Sequence, residues 1–209
     1  MRTSRLEAFS DGVLAIIITI MVLELKVPEG HGFFGPVGLY QTTGVGLLTY
    51  LLTFVYVGIY WNNHHHMFQL VGRVSGGVLW ANLALLFCLS LFPFTTAWVD
   101  ETHVAQIPVV IYGINLLAAA VAYYVLQTVI ILREGPESPL RAAIGTDLKG
   151  KLSPFLYLAG IISAAIPVDS PVGAWVGMAC FVAVAVIWLV PDRRIERVLR
   201  EHDGPWLSA

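Results

Sequence analysis

Residues Leu6 to Leu25 read LEAFSDGVLAIIITIMVLEL, preceded by Arg2 and Arg5 and followed by Lys26. A helix of that length spans roughly 30 Å, about the hydrocarbon thickness of a bilayer. The run carries Ser10 and Asp11 within two turns of its start and Thr19 near its middle. An acid at that depth is costly without a partner, so it marks a functional candidate. The remaining chain reads as the bundle that holds this helix.

Composition supports the membrane reading. The chain has 209 residues, of which 57% are hydrophobic and 12% charged, with a mean hydropathy of +0.74. No soluble domain hides that much apolar surface, so the class is an all-α, polytopic membrane protein in a single domain, residues 1–209. Spans are expected at about 6–25, 39–66, 74–99, 107–132, 152–168 and 172–190. Cys88 and Cys180 fall inside apolar runs and read as packing residues. The first segment is expected to be retained rather than cleaved as a signal peptide, because no small-residue cleavage site follows it.

Six spans put both termini on one side. That side receives eleven of the twelve Lys and Arg residues, and the other receives Lys26 alone. Positive residues collect in the cytoplasm, so both termini are expected there, with the chain in the cell (inner) membrane. The outer segments instead carry Glu29, Asp100, Glu101 and Asp169, with Glu24 at the outer end of the first helix. Pro93, which cannot donate to the carbonyl of Leu89, predicts a kink in the third span.

At about 100° per residue, Ile16, Ile20 and Leu23 share one narrow stripe of the first helix. Gly12 and Phe9 extend it, and Thr19 lies on its shoulder. Asp11 points roughly 140° away from Ile16 and must find a partner on another helix. The second span ends Trp61-Asn62-Asn63-His64-His65-His66 at the membrane face where the first begins, offering donors to Ser10 and Asp11. Taken alone, the apolar stripe reads better as helix packing or lipid contact than as a pore.

Two motifs mislead. Three consecutive histidines on a helix point three ways and cannot converge on one ion; one or two with Asp11 could hold a metal, but a hydrogen-bonding role is favoured, so no metal or other cofactor is expected. Thr42-Thr43-Gly44-Val45-Gly46 has the spacing of a carbonyl-lined potassium filter. Such a filter needs a pore helix to seat a re-entrant loop, and the preceding Gly/Pro segment is too short for one.

Arg5-x-x-x-Phe9-Ser10-Asp11 resembles the signature of the transmembrane protein 175 family, the lysosomal potassium channels and their bacterial relatives. The sequence after Asp11, the Trp61-x-x-His64 end of the second span and Leu91-Phe92-Pro93-Phe94 are similar as well. One motif copy and six spans resemble the bacterial type. The resemblance implies a homotetramer whose four first helices line a central pore for potassium, modestly preferred over sodium. It implies an apolar constriction at Ile16, a selectivity threonine at Thr19, and further pore positions at Ile20 and Leu23. Arg5, Phe9, Ser10 and Asp11, with Trp61 and His64, would then form a helix-packing network. The partners expected are other copies of the chain, the bilayer and monovalent cations, and not nucleic acid.

Other classes fit less well. A proton-coupled secondary transporter would use Asp11 and the His64–His66 cluster, but no clear internal repeat accompanies them. An intramembrane enzyme would need a convergent metal set, a Gly-x-Ser-x-Gly or a His-Glu-x-x-His pattern, and none is present.

Overall fold

The computed structural model describes residues 3–25, 44–72, 74–135, 138–144, 148–166 and 170–189. Several residues named above lie outside them: Arg2, Lys26, Glu29, Thr42-Thr43 and Asp169, as do all residues from 190 onward.

The described residues form helices α1 (Thr3–Leu23), α2 (Val45–Gln69), α3 (Gly76–Ser90), α4 (Phe92–Glu101), α5 (Gln106–Glu134), α6 (Pro139–Ile144), α7 (Leu148–Ala165) and α8 (Val172–Leu189). The chain leaves α3 at Leu91, two residues before Pro93. The Leu91 N–H closes a tighter bond to the carbonyl of Cys88 at 3.3 Å, the expected response to the missing proline donor. Ser75 caps α3 by accepting from the Val78 N–H.

Among the described residues, five stretches are long and apolar enough to cross a membrane: α1, α2, α3 with α4 taken together, α5 and α8. The chain is therefore a multi-pass membrane protein. The remaining expected span, the fifth, corresponds to α7, which falls short of the others in apolar character. Lys149 and Lys151 sit in its first turn, and Pro154 lies within it.

α1 packs against α2, α3 and α4, while α5 packs against α3, α4, α7 and α8. Small residues bring α7 and α8 into backbone contact. A methyl group on Gly177 would sit 2.8 Å from the carbonyl oxygen of Gly160, and one on Gly173 would sit 2.5 Å from that of Ser163. Without a hydrophobic driving force between helices in lipid, such close approach supplies the dispersion contact that holds them. Polar side chains fasten the other seams. The Thr53 hydroxyl lies 2.9 Å from both the Thr96 hydroxyl and the Tyr112 phenol, joining α2 to α4 and α5. The Tyr56 phenol donates to the carbonyl of Phe181 on α8 at 2.6 Å.

Candidate functional site

The faces of α1 differ in what they meet. Leu6, Ser10, Leu14, Ile17 and Met21 are buried against the rest of the subunit. Phe9, Ile16, Ile20 and Leu23 are exposed, Ile16 to 59% and Leu23 to 80%. Helical geometry produces this division, since Leu14 lies about 160° round the axis from Ile16. Thr19 belongs to the exposed face. Its hydroxyl donates back to the carbonyls of Ile16 at 2.9 Å and Ala15 at 3.1 Å. The hydroxyl proton is thus held by the helix itself, which leaves oxygen lone pairs to face outward.

The outer half of this face borders an open groove of about 660 Å³ between α1 and α4. Ile16 and Ile20 form one side, Phe94 and Trp98 the other, and Glu24 and Glu101 stand at its end.

The buried face is keyed by a directed hydrogen-bond chain. Ser10 and Asn82 are fully buried and His64 nearly so. The Ser10 hydroxyl donates to the carbonyl of Leu6 at 2.9 Å, so its oxygen accepts from the Asn82 amide Nδ2 at 3.0 Å. Asn82 Oδ1 then faces His64 Nε2 at 2.8 Å. The direction of the chain makes Nε2 the protonated nitrogen of His64, an assignment from the network rather than from a hydrogen position. His64 Nδ1 is buried and has no partner among the described residues. Three helices, α1, α3 and α2, thereby meet at one polar seam.

Two further rungs join α1 to α2 along their flank. The Trp61 indole donates to Asp11 Oδ1 at 3.1 Å. Gln69 donates to His65 Nε2 at 2.8 Å, and His65 Nδ1 faces Glu7 Oε1 at 2.7 Å. The Trp61 and His65 rings stack, with centroids 6.3 Å apart.

The structure brings Ser10, Asp11, Trp61 and His64 to the α1–α2–α3 contact, with one change from the sequence expectation. His64 reaches Ser10 through Asn82 and not directly, because its ring turns toward α3. Arg5 and Phe9 stand on the exposed side of α1, away from this network. Asn82 and Glu7 were not picked out from the sequence. A signal for Asn82 was present, since it is the single carboxamide in the uncharged run from Val74 to Val99, where a polar side chain needs a partner. Adjacent His64 and His65 serve different neighbours, as consecutive helical residues must. Among the described residues no group of three or more His, Cys, Asp or Glu is placed to hold a metal ion.

Comparison with known proteins bears on this arrangement. Residues 5–93, from Arg5 through Pro93, match the family model described as the endosomal/lysosomal potassium channel TMEM175. A protein of Chryseobacterium sp. (strain P1-3) named as a potassium channel is 50% identical over 202 residues, covering 97% of this chain and all of that one. A protein of Streptomyces collinus, also named as a potassium channel, is 34% identical over 131 residues, which is 59% of this chain and 62% of that one. The zebrafish relative, named as an endosomal/lysosomal proton channel, is 30% identical over 132 residues, 61% of this chain and 24% of that one. Among solved structures, the lysosomal potassium-selective channel TMEM175 homolog from Chamaesiphon minutus superposes with a TM-score of 0.73 at 28% identity. The match covers 91% of this chain and 97% of that one.

Proposed function

The chain belongs to the TMEM175 family, and from that membership we propose that it is a potassium channel, modestly selective over sodium, in the cell (inner) membrane. Its working form is a homotetramer of six-span subunits, α7 supplying the fifth span, with both termini cytoplasmic. Relatives named as channels support this reading over an enzyme or a transporter. One observation carries the proposal further: α1 exposes Ile16, Ile20 and Leu23 while burying the opposite stripe. The exposed stripe holds the family's pore positions, and four copies about an axis turn each residue into a ring.

A ring of Ile16 closes the pore by size and by dewetting, since a narrow apolar collar does not retain water. Widening it requires α1 to tilt or rotate. Ions then pass beside Thr19, whose hydroxyl oxygens face outward because their protons bond the helix backbone. These oxygens replace part of the hydration shell, and a partly dry passage favours potassium, the more easily dehydrated ion. Four hydroxyls per ring give weaker discrimination than stacked carbonyl rings. Glu24 and Glu101 concentrate cations at the outer end. The Ser10–Asn82–His64 chain and the Asp11–Trp61 rung set the rotation of α1 and so bias closed against open.

Flux through purified protein in liposomes tests this, with potassium, sodium and protons compared because vertebrate relatives are named proton channels. Potassium flux exceeding sodium flux supports the proposal. Proton flux alone, or flux only with a coupled second solute, contradicts it.

A further inference from the structure

A second cavity, of about 450 Å³, opens among α2, α5, α7 and α8. Its size falls within the roughly 300–1,000 Å³ of small-molecule sites. Buried Tyr56, Tyr60 and Tyr157 line its inner wall, exposed Val121 lies on its open side, and Gln127 and Lys151 border it towards the start of α7. Tyr56 and Gln127 belong to opposite ends of the cavity: the α2 wall alone, from Tyr56 to Asn63, runs about 10 Å. The rim lies at the end of the bundle where α2 finishes and α7 begins. Trp188 borders it too, its indole anchored to the Ser153 hydroxyl at 2.7 Å. The Lys151 side chain is exposed there.

We infer that this cavity is a binding site for an anionic phospholipid, one acyl chain lying in the tyrosine-lined depth and the phosphate group meeting Lys151. The charge of the rim selects the ligand: a lysine above an apolar slot attracts a phosphate and repels a cationic amphiphile. Aromatic side chains with a lysine at one end of a span are the usual furniture of the headgroup level. The inference depends on the chain spanning a membrane and not on α1 lining a pore.

The test uses full-length protein in nanodiscs with a trace of phosphatidylglycerol carrying a photoreactive acyl chain, followed by peptide mapping. Label should concentrate on the peptides containing Val121 and Tyr157. Unlabelled phosphatidylglycerol should compete severalfold better than phosphatidylcholine or palmitate. Val121→Trp, which fills the slot from an exposed position, should abolish the focused label. Lys151→Gln, a surface change that leaves packing intact, should erase the preference for phosphatidylglycerol while keeping the label. Even labelling of all lipid-facing helices, equal competition by phosphatidylcholine, or labelling of the carboxy-terminal tail in place of the slot would each overturn the inference.

Discussion

Ser10 on α1 accepts a hydrogen bond from Asn82 on α3 at 3.0 Å, and both side chains are fully buried. This single contact fixes which face of α1 turns inward, and by exclusion which face is free. Because Asn82 also bonds His64 at 2.8 Å, the amide couples three helices.

Asn82→Ala should therefore destabilise the protein by about 1–2 kcal/mol, since it strands the buried His64 nitrogen and removes the Ser10 donor. Ser10→Ala should cost less, because it leaves the Asn82–His64 bond in place. Thermal unfolding of the two purified variants, compared with the parent protein, measures the difference.

Asp11→Ala should lower the yield of assembled tetramer more than it changes ion preference, because the Asp11 carboxylate meets Trp61 across the α1–α2 contact. A double-mutant cycle with Trp61→Phe should give a coupling of about 0.5–1 kcal/mol. Intact tetramers with inverted selectivity would place Asp11 in the ion path instead.

Thr19→Val keeps the shape of the side chain and removes the hydroxyl oxygen from the exposed face of α1. The preference for potassium over sodium should fall by about fivefold, the value of a contact worth about 1 kcal/mol. Reversal potentials under mixed-ion conditions read this directly. Stability should change little, since the bonds lost run only to the helix's own backbone.

Gly177→Ala should cost about 1–3 kcal/mol, because the new methyl would meet the Gly160 carbonyl at 2.8 Å and push α8 off α7. Gly12→Ala, where an added methyl meets nothing within 4 Å of the subunit, serves as the control for thermal stability. Its effect on flux is a separate readout of the exposed face.

Much of this arrangement could be read in the chain before any coordinates. Periodicity separated the Ile16 stripe from the Asp11 side of α1 because a regular helix fixes those directions. The Trp61–Asp11 pairing followed from two spans meeting at one membrane face. Asn82 was harder: nothing local ties a mid-span amide to Ser10 seventy-two residues away, and only the packing of α3 on α1 supplies the link. Gly173 and Gly177, four apart, permit a close helix contact with any neighbour, and only the fold supplies the partner, the stretch of α7 from Gly160 to Ser163. The α7 span was blurred for a different reason, as Lys149 and Lys151 open a helix that burial against α8 completes.

The central claim is that the exposed stripe of α1 faces water on a symmetry axis and not lipid. Leu23→Cys, in a background lacking Cys88 and Cys180, puts a thiol at the most exposed position of that stripe, and Val186→Cys puts one on the exposed face of α8. A membrane-impermeant, charged thiol reagent should modify Leu23→Cys rapidly and block potassium flux in liposomes, while Val186→Cys stays unreactive and conducting. A Leu23→Cys protein as unreactive as Val186→Cys, with its potassium flux untouched, would contradict the account.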